Sequence, residues 1–144
     1  MDQVERNKTL VRRFVELTNA RDFGGLDEIV APDFVRLCPS TPGVVVESRD
    51  ALRGFLEADR LTFPDNRVRL SDLVSEGDRV AFWATYTGTQ LGPMGPFPPS
   101  GRAASIEFAG IFRLDGERIA EVRLVWDNVA LLGQLGHLSL EEMG

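Results

Sequence analysis

The side chains of this chain that could do chemistry are mostly carboxylates, because histidine and cysteine are scarce. The sequence holds one cysteine, Cys38, and one histidine, His137. A single cysteine excludes an intramolecular disulfide and most zinc sites. A single histidine excludes a multi-histidine metal centre and leaves one candidate for a serine–histidine pair. His137 lies beyond an apolar tail and is expected at the surface. Among the carboxylates Asp127 stands out, because it follows Leu124-Val125-Trp126 at the end of a strongly apolar segment. An aspartate carried into an apolar interior needs a partner or a function. Two readings are open from the residues alone: a proton-transferring group, or the N-cap of a short helix that follows. Glu107 is the second carboxylate candidate, against the alternative of a solvated sheet residue. Strand alternation puts Glu121, Arg123, Val125 and Asp127 on one face and Val122, Leu124 and Trp126 on the other. Arg123 then pairs with Asp127 or Glu121, or a bulge breaks the alternation.

The elements that must position these groups follow from the hydrophobic pattern. Residues 4–21 read as an amphipathic helix with Leu10, Phe14 and Leu17 on its apolar face. Gly24-Gly25 breaks it, a short second helix follows at about 25–30, and Pro32 ends that one. Asp33 to Cys38 reads as a strand and Pro39 to Gly43 as a loop. Ser48 is the expected N-cap of a third helix running to about residue 60, with Leu52, Phe55 and Leu56 facing inward. Asp65 to Leu73 opens a run of strands, continued by Val80 to Thr89 with Phe82, Trp83, Thr85 and Tyr86. Residues 103–114 and 117–127 form two more, joined at Asp115-Gly116, a strong hairpin signal. Asn128 onward predicts one or two helical turns. Between strands, Leu91 to Gly101 is rich in proline and glycine. It is a long hairpin connection or a lid whose Met94 and Phe97 touch a ligand.

Length and composition bound the rest. The 144 residues fit one domain, 1–144, and 43% apolar with 26% charged residues is ordinary for a globular chain. A net charge of −6 argues against a phosphate-binding face, so no nucleic-acid partner is expected. Neither a signal peptide nor an apolar run long enough to span a membrane is read, and one thiol agrees with a cytoplasmic protein. Helices segregated from strands give an α+β fold: three N-terminal helices packed on a curved antiparallel sheet that encloses a cavity. Phe14, Leu17, Phe55, Trp83 and Tyr86 are the candidate wall of that cavity, a set suited to a flat polycyclic ligand. Any one of them taken alone is more often simply a core residue. Apolar side chains on both faces of the strands predict a homodimer through the convex face.

Several segments resemble, in order, those of SnoaL-like polyketide cyclases: Phe63-Pro64-Asp65, Glu76-Gly77-Asp78-Arg79-Val80, Gly88-Thr89, the hairpin Arg113 to Glu121, and Asp127-Asn-Val-Ala-Leu-Leu-Gly-Gln-Leu-Gly136. The resemblance covers nearly the whole chain and implies the cystatin-like, nuclear transport factor two-like cone. It also implies a cofactor-independent and metal-free enzyme of secondary metabolism, such as antibiotic biosynthesis, that closes a ring by intramolecular aldol chemistry. The small substrate would be hydrophobic and polyketide-like, and Asp127 matches the acid–base aspartate. A methylene between two carbonyls is already acidic, so one positioned carboxylate can contribute about 10²–10⁴-fold. The chain departs from the family pattern at Leu37, Gln90 and Ala109-Gly110, where relatives carry polar partners, often histidine. Two other readings stand beside the cyclase or isomerase. One is an epoxide-opening or other hydrolase or lyase of the same fold. The other is a non-catalytic protein that binds a hydrophobic ligand.

Overall fold

A computed structural model describes residues 2–139. Helix α1 spans Gln3–Asn19 and is capped by Asp2, whose side chain accepts from the Glu5 amide at 2.9 Å. A 3₁₀ turn follows at Gly24–Glu28, then strand β1 at Val30–Leu37 and helix α2 at Arg49–Thr62, capped by Ser48. Strands β2 (Arg67–Glu76), β3 (Arg79–Thr89), β4 (Ala103–Asp115) and β5 (Arg118–Trp126) come next, and helix α3 (Asn128–Leu135) is the last described element.

The α+β reading holds, with corrections to its details. The expected second helix is only the 3₁₀ turn, because a double glycine and a proline leave too little helix-forming chain between them. The third α-helix is α3, at the other end of the chain. Strand β1 begins at Val30, and Pro32 is tolerated there because the pairing with β5 is irregular between Val30 and Val35. The sheet is mixed. Its order is β1-β5-β4-β3-β2, and β1 runs parallel to β5 while every other neighbouring pair is antiparallel. Helix α2 makes this possible by carrying the chain across the sheet face between β1 and β2.

Helices α1 and α2 pack on the concave face, α1 against β2 and α2 against β1. One end of the cone is filled. Phe82 lies 5.1 Å from Phe112 and 5.5 Å from Phe108, and Phe14 meets Phe112 edge-on at 5.5 Å. Gly110, opposite Phe82 on β4, has no room for a Cβ, which would strike the Phe82 ring and the Arg123 carbonyl. The other end is open. Phe55, Asp59, Tyr86, Phe108, Leu124 and Trp126 belong to the interior face yet are only half-buried, whereas Val80, Phe82, Phe112 and Leu114 are fully buried. The interior is therefore less completely covered over that half than at the filled end. Among the described residues, no helix is long and apolar enough to cross a membrane.

Candidate active site

The open half of the cone gathers three polar side chains from three elements. Asp59 lies one turn after Phe55 on α2, Tyr86 is on β3, and Arg36 is on β1. The Tyr86 hydroxyl donates to Asp59 Oδ2 at 2.8 Å, and Asn66 Nδ2 donates to the same oxygen at 2.9 Å. Asn66 is itself oriented by Arg21, whose Nη1 donates to Asn66 Oδ1 at 2.6 Å. Arginine has only donors, so the Asn66 oxygen must face it and its amide hydrogens must face Asp59. Arg21 holds this pose from a left-handed backbone, φ 62°, which is uncommon for a residue with a side chain and marks a position fixed by its surroundings.

Burial raises the Asp59 carboxyl above the ordinary aspartate range, and the hydrogen bonds from Tyr86 and Asn66 oppose the shift without cancelling it. Burial also raises Tyr86, reinforced by the negative charge of Asp59, so the phenol stays a donor. Both bonds to Asp59 engage Oδ2, which leaves Oδ1 as the atom able to take or give a proton.

Arg36 is only 7% exposed. Its guanidinium carbon lies 4.1 Å from the centre of the Phe55 ring and 5.9 Å from that of Trp126, and Nη1 donates to Thr41 Oγ1 at 2.9 Å. Burial lowers its pKa, which Cys38 and Asp59 partly offset. Trp126 is held in place by its own bonds: its indole N–H donates to Asn128 Oδ1 at 2.8 Å, and its backbone amide donates to Ser40 Oγ at 2.9 Å.

Of the sequence-derived candidates, Phe55 and Tyr86 are brought together here, and Met94 packs nearby against the cluster that includes Tyr86 and Trp126. Leu17 is buried in the main core cluster, and Phe14 packs against that cluster as Phe55 does. Leu37, Trp83, Glu107 and Arg123 are on the outer side. Leu37 is exposed, Trp83 donates to Glu107 at 3.2 Å, and Arg123 pairs with Glu121 at 3.7 Å. Strand β5 alternates as expected, but the face that turns inward is that of Val122, Leu124 and Trp126 and not that of Arg123 and Asp127. Asp127 is exposed. Its Oδ1 accepts from the amides of Val129 and Ala130 at 2.9 and 3.1 Å, the arrangement of a helix N-cap.

Gln90 is fully buried, and its Nε2 donates to the carbonyls of Gly92, Phe97 and Pro98 at 3.2, 3.3 and 3.1 Å. Its Oε1 lies 2.6 Å from His137 Nε2, and Phe97 stacks on the His137 ring at 5.1 Å. His137 is thus half-buried rather than a surface residue, because Gln90 and Phe97 fold the tail over it.

The residues missed from sequence are Arg21, Arg36, Asp59 and Asn66. Two carried a signal. Asp59 continues the α2 stripe of Leu52, Phe55 and Leu56 at helical spacing, and Arg36 alternates with the buried Phe34 on β1. A charged residue on an apolar face is the mark of a partnered or functional group.

Comparison with known proteins bears on the fold. The structure of TsrD from Streptomyces laurentii superposes with a TM-score of 0.82 at 29% identity, covering 96% of this chain and 99% of that one. IdmH from Streptomyces antibioticus, assigned provisionally as a polyketide cyclase, gives 0.79 at 29% identity over 90% and 98% of the two chains. AclR from Streptomyces galilaeus, assigned provisionally as a hydroxylase, gives 0.80 at 26% over 95% and 100%. No curated protein sequence matches the chain. The family model of the SnoaL-like polyketide cyclases matches residues 8–135, nearly the whole fold described above, and the chain belongs to that family.

Proposed function

We propose that the protein catalyses a cofactor-independent, acid–base ring closure or isomerisation of a small, flat, polyketide-like substrate, with Asp59 as the proton-transferring group. The observation that carries this is the Asp59–Tyr86 pair in the open half of the cone, 2.8 Å apart. Desolvation raises the carboxyl toward the working range of a proton shuttle, and Tyr86 and Asn66 bind Oδ2 and leave Oδ1 for the transfer. Asp59 as carboxylate, oriented by the Tyr86 hydroxyl, takes a proton from an activated methylene to become the neutral acid, and the same proton returns to the oxygen or carbon of the product. Phe55, Phe108, Leu124 and Trp126 supply an apolar wall that orients the ring and limits water. Asp127 remains the rival carboxylate. Its exposure and its capping bonds favour the cap over the shuttle.

The test needs no knowledge of the natural substrate. A flat aromatic β-diketone in deuterated water exchanges its methylene hydrogens, and NMR follows the rate. The protein should accelerate the exchange, and Asp59→Asn should lose about 10²–10⁴-fold of that acceleration. Acceleration that survives Asp59→Asn and disappears in Asp127→Asn transfers the role to Asp127. A protein that binds the diketone without accelerating exchange is a ligand-binding member of the fold.

A further inference from the structure

Arg36 places a permanent positive charge inside the protein with little to balance it. Its fork has five N–H donors. The hydroxyl of Thr41 takes one of them at 2.9 Å, and the Cys38 sulfur is a further, weak acceptor. No carboxylate among the described residues forms an ion pair with it, whereas the arginines at the start of α2 have one: Arg49 and Arg53 both meet Asp27, at 3.3 and 2.6 Å. Asp59 influences Arg36 electrostatically but is bound instead to Tyr86 and Asn66. Leaving a desolvated cation unpaired is costly. Arg36 is also backed by the face of Phe55 and looks across at Trp126, whose position is fixed from both sides by Ser40 and Asn128.

We infer that the open half of the cone binds a flat ligand bearing a free carboxylate, with the carboxylate on the Arg36 fork and the ring along Trp126. This inference rests on the reading of that cleft as the substrate site and adds the ligand's charge to it. The charge must arrive with the ligand rather than form only during reaction, because Arg36 is desolvated before anything binds. A neutral ester in the same place would return no charge to Arg36. A planar carboxylate matches the planar fork with two parallel hydrogen bonds.

The experiment is a calorimetric titration of the full chain with a naphthoic acid and, separately, with its methyl ester. The acid should bind about tenfold tighter or more, as charge-assisted hydrogen bonds would give. Arg36→Gln should remove the preference, and Arg36→Lys, which keeps the charge but not the fork, should retain part of it. Asp59→Asn, which removes a negative charge that acts on Arg36, should keep the preference or enlarge it. The comparison on the unaltered protein decides the matter even where Arg36→Gln does not fold. Equal affinity, a preference for the ester, or no binding of the acid at millimolar concentration overturns the inference. Loss of diketone exchange in Asp59→Asn alongside any of those results would leave the acid–base reading standing and remove only the carboxylate.

Discussion

Tyr86 on β3 and Asp59 on α2 meet across the interior with an O···O distance of 2.8 Å, so one hydrogen bond joins the sheet to the helix that roofs it. The bond lowers the Asp59 pKa against the upward push of burial. Removing the donor therefore lets burial act with less opposition. In Tyr86→Phe the acid limb of the pH–rate profile for diketone exchange should move to higher pH, with a smaller loss of rate than in Asp59→Asn. An unmoved limb would separate Tyr86 from the titrating group.

The same shift has a consequence for stability. A carboxyl whose pKa is raised on folding contributes stability that is fully present below its unfolded value, about 3.9, and lost as pH rises through the folded value. Asparagine at position 59 can set its carbonyl oxygen where Oδ2 now accepts both bonds. Asp59→Asn should therefore unfold at a higher temperature than the unaltered protein at neutral pH, and the difference should shrink as pH falls toward about 4. Thermal unfolding at several pH values checks this. A variant less stable at every pH would mean that the ionised carboxylate is a net stabilising partner of Arg36 and Arg21.

How much of this was legible in the sequence depends on the range of the interactions. Ser48 and Asp115-Gly116 are local devices, and each predicts what is seen, whereas the alternation of β5 gives its two faces but not which of them turns inward. The parallel pairing of β1 with β5 joins residues far apart in the chain, such as Val30 and Ile119, and no local pattern encodes it. The site divides along the same line. Phe55 and Tyr86 announce themselves as apolar and aromatic residues on periodic faces. Asp59 and Arg36 look like ordinary surface charges until α2 and β1 are folded over the sheet. Asn66 becomes a positioning residue only when Arg21, from the end of α1, reaches it.

Asp127 is tested by two substitutions. Asparagine caps a helix about as well as aspartate, so Asp127→Asn should keep both stability and exchange activity. Alanine removes the acceptor for the Val129 and Ala130 amides and should cost about 0.5–2 kcal/mol in chemical denaturation. A folded Asp127→Asn with exchange reduced by about 10²-fold or more would restore the catalytic reading of this residue.

The outer face of the sheet carries a row of apolar residues in register: Trp83 opposite Ala109, and Ala109 opposite Val125. Trp83 is 46% exposed and Val125 50%, and Ile111, one pair along on β4, is exposed as well. A second copy of the chain would cover this face, and we propose a homodimer built through it. Sedimentation at micromolar concentration should give twice the mass of one 15.9 kDa chain, and Trp83→Glu together with Ile111→Lys should give the single mass with an unchanged circular dichroism spectrum. A single-chain mass for the unaltered protein would remove the dimer.

The segment Leu91 to Gly101 has the glycine and proline content of a lid, and its hydrogen bonds argue for a fixed frame. Gln90 gathers three of its carbonyls, the amides of Leu91 and Gly92 donate to Thr62 at 2.9 and 3.1 Å, and Met94 and Phe97 bond each other through their backbones. Gly92 lies so close to the Leu61 carbonyl that any side chain there would collide with the end of α2. A loop tied in this way should already be protected without ligand. Hydrogen exchange at Gly92, Met94 and Phe97 should be slow in the free protein and should slow little further when a flat aromatic ligand saturates it. Gln90→Ala would take the side-chain donor from the buried Gly92 carbonyl, at about 1–3 kcal/mol for such a group. It should lower stability and speed exchange at those amides together. Fast exchange in the free protein that collapses on ligand binding would instead make the segment a lid, with Gln90 as the latch that holds it once closed.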